Sequence, residues 1–321
     1  MNRTICLTIG LLCFCMGVSA NRQAENVPLA DPFILLEGDT YYAYGTHSAV
    51  GIEVYASTDL ERWEPRGLAL SRTDTSEDGR FWAPEVYHVG DVYYMYYSAN
   101  EHLFVATASS PLGPFRQAGG PLMAPLIGDE KCIDGSVFID DDGAAYLFLV
   151  RFTDGNCIWM CRLHADLMTP VEGSLTKCFS VSQPWEEHLG RVCEGPFILK
   201  RDGIYFLTYS GNDFRSPDYA VGYALAGSLT GEEGTGTSWQ KYEGNPIVHR
   251  ADGLSGTGHH SFFTDREGRL RIVFHAHHSA TEVSPRNMFI ATMEVNGNVL
   301  RLADEPVIHA VTVTETGRPT P

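Results

Sequence analysis

The chain has 321 residues, a formal net charge of −17 and 44% hydrophobic residues. That charge disfavours a nucleic-acid partner and leaves neutral ligands open, and the apolar content suits a soluble protein with a large core. The acid excess by itself names no ligand.

Residues 1–20 read as an export leader. Arg3 supplies a positive start, an apolar run extends from Ile5 to Val18, and Val18-Ser19-Ala20 offers small residues for cleavage before Asn21. The run is too short to span a bilayer, and no later stretch is expected to cross one. Leu12 and Phe14 stand before Cys13 and Cys15, where a lipoprotein site needs a small residue. These features predict an exported protein, periplasmic or extracellular, acting as a monomer. Removing the leader leaves Cys132, Cys157, Cys161, Cys178 and Cys193, an odd set without the CxxC spacing of a zinc site. Small buried core residues are the favoured reading, with one or two bridges left open.

Runs rich in aromatic and β-branched residues follow: Tyr41-Tyr42-Ala43-Tyr44, Val92-Tyr93-Tyr94-Met95-Tyr96-Tyr97, Ala145-Tyr146-Leu147-Phe148-Leu149 and Ile204-Tyr205-Phe206-Leu207-Thr208-Tyr209. Bounded by Gly and Asp, they predict strands, and no helix longer than a turn or two is expected. The segments beginning at Asp31, Ala83, Asp134, Glu194 and His259 repeat one another at intervals of 52, 51, 60 and 65 residues. Each opens with a short apolar strand, such as Asp31-Pro32-Phe33-Ile34 or Glu194-Gly195-Pro196-Phe197. Each then reaches an acid–glycine turn: Gly38-Asp39, Gly90-Asp91, Asp142-Gly143, Asp202-Gly203 or Glu267-Gly268. Four-stranded units of that length, stacked radially, predict an all-β, five-bladed β-propeller forming a single domain over residues 21–311. A β-sandwich would not repeat its turn chemistry at one offset five times. The fourth unit is lengthened by a Gly-, Ser- and Thr-rich insertion from Gly227 to Trp239, expected to be a solvated loop, and residues 312–321 are expected to fray.

In a propeller the first strand of each blade lines the axis, so the five starting residues face one another across one mouth. Three carboxyl groups (Asp31, Asp134 and Glu194) and the His259 imidazole then converge, and crowding like charges raises the pKa of at least one acid. A carboxyl pair tuned by a third acid suits glycosidic bond cleavage, one acid protonating the leaving oxygen and another activating water. Serine and cysteine nucleophiles have little support, because there is no G-x-S-x-G and no cysteine in an electropositive setting. Of His277-His278, one is expected at the pocket rim rather than on a catalytic metal.

The set Asp31-Pro32, Phe81-Trp82-Ala83-Pro84-Glu85, Asp134-Gly135, Glu194-Gly195-Pro196 and Gly256-Thr257-Gly258-His259 resembles glycoside hydrolase family 43. The resemblance covers nearly all of the chain after the leader. It implies a five-bladed propeller and hydrolysis with inversion, with Asp31 as general base, Glu194 as general acid and Asp134 orienting Glu194 and tuning its pKa. No cofactor is implied for the chemistry. A structural calcium at the propeller axis, approached by His259, belongs to some members, and Arg286 fits the place of a substrate-facing arginine. Trp82 and Phe33 are expected to offer the sugar aromatic faces, with His47 and Trp185 as weaker candidates. The activity expected is release of pentose, foremost α-L-arabinofuranosyl, units from plant-type oligosaccharides or polysaccharides. A β-xylosidase, endo-arabinanase or exo-galactanase is the alternative within the family, and the absence of an added C-terminal sandwich in this sequence disfavours a xylosidase. A catalytically silent carbohydrate-binding propeller is the alternative of another class.

Overall fold

The computed structural model describes residues 26–229, 238–303, 309–310 and 312–313. The leader and most of the insertion after Gly227 lie outside the described residues. Five antiparallel sheets, each built from four consecutive strands, form the five blades. Their first strands are Ala30–Glu37, Trp82–Val89, Cys132–Ile139, Cys193–Arg201 and Gly258–Thr264. Each first strand touches the first strands of both neighbouring blades, closing a ring around the axis. The second strands, Thr40–Thr46, Val92–Ala99, Ala145–Arg151, Ile204–Gly211 and Leu270–Ala276, pair outward from them.

The aromatic runs supply the cement between blades. Phe33 and Tyr44 of blade 1 pack with Val86 and Tyr97 of blade 2. Tyr146 and Phe148 of blade 3 pack with Leu207 and Tyr209 of blade 4, and corresponding clusters fill the remaining junctions. The five cysteines among the described residues are free thiols, four of them buried, so they serve as small core residues and form no bridge with one another. The expected fraying from residue 312 is corrected in part. Thr312–Val313 adds to blade 1 as a parallel strand beside Arg62 and Trp63, and His309–Ala310 pairs with the third strand of blade 5. This backbone pairing covers part of the open edges of those sheets. No helix among the described residues is long and apolar enough to cross a membrane.

The loop leading into the fourth blade folds around a buried acid. Glu186 is fully buried, and its carboxylate accepts from Lys241 Nζ at 2.6 Å, Tyr209 OH at 2.5 Å and the backbone N–H groups of Ser182 and Gln183. The Glu186 carbonyl in turn accepts from Val192 N–H and Asn212 N–H, so this ion pair sets the entry of the strand that carries Glu194. Removing one member of such a pair leaves a charge buried without its counter-ion. Lys241→Met is therefore expected to cost about 3–5 kcal/mol of stability in urea unfolding.

Candidate active site

Each first strand carries a β-bulge near its start, seen as a register shift against the second strand. The first bulge residue has left-handed backbone in all five blades: Asp31 (φ 50°), Ala83 (44°), Asp134 (56°), Gly195 (55°) and His259 (43°). Four of these are not glycine, and strain of that kind collects at functional sites. The fourth blade corrects the sequence alignment by one residue. Gly195, not Glu194, is the structural partner of Asp31 and Asp134, while Glu194 shares its position with Ala30, Trp82, Ile133 and Gly258. Those five pair with Thr46, Ser98, Val150, Ser210 and His275 across their own sheets.

Those second-strand residues explain how the bulges are held. The Asp31 N–H donates to His275 Nδ1 (3.1 Å), Ala83 N–H to Thr46 Oγ1 (2.9 Å), Asp134 N–H to Ser98 Oγ (3.0 Å) and His259 N–H to Ser210 Oγ (2.7 Å). Each bond runs from a bulge to the preceding blade. Blade 3 has Val150 at the matching position, which accepts nothing. Gly195 N–H donates instead to Asp134 Oδ2 at 3.1 Å, so a carboxylate closes the ring beside Glu194.

Asp31, Asp134 and Glu194 are 7%, 6% and 9% exposed and meet at this mouth. Asp31 Oδ2 accepts from Thr46 Oγ1 at 2.6 Å and Oδ1 from Arg286 Nη1 at 2.9 Å, with His259 Nδ1 3.3 Å from Oδ1. Burial pushes the Asp31 pKa up, but the Arg286 guanidinium and the surrounding imidazoles outweigh it and hold the carboxyl well below its usual range. Glu194 Oε1 accepts from Tyr219 OH (2.8 Å) and Oε2 from Asn156 Nδ2 (2.9 Å). There burial prevails over both hydrogen bonds, and the pKa is pushed up to about 7. Asp134 is raised well above its usual value by burial and then by the charges of Glu194 and Asp31. One acid is thus kept ionised and another is kept ready to hold a proton, in a single buried cluster.

Arg286 reaches the cluster, donating to Asp31 while its guanidinium lies 4.7 Å over the ring of Phe214, a partly exposed aromatic that the repeat pattern did not single out. Trp82 is half-buried and occupies the register position that Glu194 takes in its own blade, which suits a wall of the mouth. Phe33 is 6% exposed, packed against Tyr87 in the junction of blades 1 and 2, and it lines the narrow cavity that Asp31 and Asp134 also line. The bulge at Asp31-Pro32 breaks the two-residue alternation that would have put Phe33 on the face of Asp31. Trp185 is likewise turned inward, against Gly211, Gly222 and Tyr209. His277 is buried behind the rim and binds the carbonyl of Phe214, whereas His278 is exposed.

A narrow cavity of about 10 Å³ is lined by Asp31 and Asp134 themselves, with Phe33, Glu85, His259 and His260. Calcium takes six to eight oxygen ligands, roughly, from carboxylates, carbonyls and water. Among the described residues no group of three or more His, Cys, Asp or Glu is arranged to hold a metal ion. The His259 ring packs on Gly195 and faces Asp31, next to the positive Arg286, which repels a second cation. His260 rather than His259 keeps a buried nitrogen, Nδ1, without a hydrogen-bond partner. The side chains present therefore do not fit a directly coordinated calcium at His259.

The glycines of Gly256-Thr257-Gly258 have steric causes. Gly256 has φ 62°, and a Cβ there would lie 2.0 Å from His277; at Gly258 a Cβ would lie 2.3 Å from the Tyr219 ring. Gly258→Ala is expected to lower stability by about 1–3 kcal/mol and to cut turnover by displacing the phenol from Glu194. Thermal melts and steady-state kinetics on the same preparation check both.

Residues 26–299 match the sequence description of glycosyl hydrolases family 43. The chain belongs to that family. The extracellular exo-α-(1→5)-L-arabinofuranosidase ArbA of Cellvibrio japonicus is 27% identical over 301 residues, covering 85% of this chain and 84% of that protein. A crystal structure described as an endo-1,4-β-xylanase of Bacteroides thetaiotaomicron superposes with a TM-score of 0.84 at 39% identity, covering 91% of this chain and all of that one. An endo-arabinase from the same organism superposes with a TM-score of 0.68 at 27% identity over 85% and 98% of the two chains. This family 43 chain is a glycoside hydrolase, which removes the silent binding propeller from consideration. Sequence reasoning missed Thr46, Ser210 and His275, although they stand fifteen or sixteen residues after their bulge residues, and it missed Asn156 and Tyr219, which lie in or beside unequal loops with no such offset.

Proposed function

We propose that this hydrolase acts outside the cytoplasm and releases terminal or branching α-L-arabinofuranosyl units from neutral plant-type glycans with inversion at the anomeric carbon. Glu194 gives a proton to the glycosidic oxygen as its bond to the sugar breaks. Asp31 takes a proton from the water attacking the opposite face, and Asp134 orients Glu194 and tunes it. The observation that carries this reading is the opposite tuning of two nearly buried acids, Asp31 held ionised by Arg286 and Glu194 pushed up to about 7. A general acid should be protonated and a general base ionised at the same pH, and here both conditions hold below pH 7. Deep burial of all three acids favours a chain end or side branch over the middle of a polymer.

The arabinan-active relatives support the choice of sugar, while the xylanase description of the 39% identical structure supports a second reading, action on β-xylosides. Rates on aryl α-L-arabinofuranosides, β-xylosides and β-galactosides, beside linear and branched arabinan, distinguish them. Preference for the arabinofuranoside and for branched arabinan is expected; a β-xyloside favoured more than tenfold overturns the sugar assignment. Proton NMR of the first product should show the anomer opposite to that of the substrate, and early retention overturns inversion.

A further inference from the structure

We propose that Phe214 is a positioning residue that seats the Arg286 guanidinium against Asp31, and that His277 holds Phe214 in place for it. This rests on the reading of Asp31 as the general base. Arg286 holds Asp31 by a single bond, from Nη1 to Oδ1 at 2.9 Å, and not by the two-pronged fork that fixes a guanidinium on its own. His275 adds nothing to that hold. Its Nδ1 accepts from the Asp31 N–H, so the ring, which burial keeps neutral, carries its hydrogen on Nε2. Arg286 Nη1 meets that nitrogen at 3.3 Å as donor against donor. Among the described residues Nε and Nη2 of Arg286 have no hydrogen-bond partner. A planar cation pivoting on one N–H needs a second contact to fix its plane, and the Phe214 ring, centred 4.7 Å from Cζ, is that contact. The Arg286 side chain is only 14% exposed, which puts the pair towards the desolvated, stronger end of such contacts.

Phe214 is itself held from both sides, although it is 37% exposed. Its carbonyl can only accept, so the buried His277 donates to it from Nε2 at 2.8 Å. His277 is fixed in turn by its own N–H on the Ser255 carbonyl at 2.8 Å and by Gly256, where a Cβ would lie 2.0 Å from Nε2. At the start of the loop the fully buried Asn212 ties the backbone down. Its Oδ1 accepts from Leu189 N–H (2.8 Å) and Asp213 N–H (2.9 Å), and its Nδ2 donates to Ser216 Oγ (2.9 Å). Arg215 also approaches the ring, at 5.9 Å, but Asp213 engages its Nε and Nη2, so that charge is already matched. His277, left without a task by the chemistry of the acids, and Gly256 beside it thus seat the loop that brings an aromatic face to Arg286.

The test is a double-substitution cycle in kcat/KM on whichever aryl glycoside the parent enzyme hydrolyses fastest. Phe214→Leu should lower kcat/KM about three- to tenfold, the range for losing a partly desolvated cation–π contact. Phe214→Tyr, which keeps the ring, should recover most of that loss. Arg286→Gln leaves an N–H for Asp31 but no cation for the ring, so adding Phe214→Leu to it should cost nothing further. A ring that only walls the sugar, or only stabilises the loop, would cost the same factor in both backgrounds, and that result overturns the inference. A tyrosine variant as slow as the leucine one overturns it too. His277→Leu should slow the enzyme as Phe214→Leu does and cost nothing further beside Arg286→Gln; unchanged turnover overturns the part given to His277. If Phe214→Leu melts below the assay temperature, Phe214→Met, which keeps apolar bulk without a π face, runs the same cycle. Asp31→Asn run alongside keeps the two levels apart. Parental turnover in that variant refutes Asp31 as the base, while an inactive Asp31→Asn beside equal Phe214→Leu losses in both backgrounds refutes only the present inference.

Discussion

Glu194→Gln is expected to lower kcat by about 10²–10⁴-fold on arabinofuranosides of weakly acidic alcohols, with substrate affinity retained. Glutamine keeps the size of the side chain and leaves an oxygen to receive the Tyr219 phenol, so the pocket survives. Its amide nitrogen then faces Asn156 Nδ2, and rotation of the Asn156 amide restores a donor–acceptor pair. What disappears is the proton. The loss should therefore shrink as the leaving phenol becomes more acidic, and the alkaline limb of the profile should vanish, because the group that titrates at about 7 is gone. Asp31→Asn makes the complementary case. It removes the group that accepts a proton from water, so the loss should be similar for every leaving group. Equal dependence on the leaving group in both variants would mean that the acid and the base have not been told apart.

How much of this was legible in the sequence depends on what repeats. The acid–glycine turns and aromatic runs recur in every blade, and they led to the propeller and to one mouth shared by Asp31, Asp134 and Glu194. The bulges were not legible, since a bulge adds one residue without changing the composition of a strand. That one residue matters twice. It moved the true structural counterpart of Asp31 from Glu194 to Gly195, whose freedom at φ 55° fits the bulge, and it set Phe33 in the junction of blades 1 and 2, at the wall of the cavity that Asp31 lines. Glu194 therefore approaches the mouth from a different register position than the other two acids. Thr46 could have been found by extending the repeat to the second strands, where three of the five matching positions carry Thr or Ser. Asn156 and Tyr219 could not, because loops of unequal length carry no periodic signal. Phe214 belongs to the same class. It became visible only once Arg286 was seen lying over its ring.

The exception at Val150 makes Asp134 the most informative position after Glu194. In four junctions a hydroxyl or imidazole of the second strand accepts the bulge N–H, and in the fifth the Asp134 carboxylate does so for Gly195. Asp134 therefore holds the backbone beside the acid and also supplies a like charge to it, two effects that separate by substitution. Asp134→Asn retains an acceptor for Gly195 N–H but not the charge. The alkaline limb reports loss of the last proton held by the Asp134–Glu194 pair, and that proton leaves at lower pH when the neighbour is neutral. The limb should move towards acid, activity at pH 7 should fall, and the melting temperature should change little. Asp134→Ala removes the acceptor as well. A buried N–H left without a partner costs about 1–3 kcal/mol, so this variant should melt lower and lose about tenfold more turnover than the asparagine variant, because the Glu194 segment is no longer held. Restoring an acceptor from the other side, with Val150→Ser in the Asp134→Ala background, should recover much of the stability and little of the alkaline limb. Recovery of both together would mean that Asp134 acts on Glu194 through the backbone alone, and its charge would then have no part in setting the pKa of the acid.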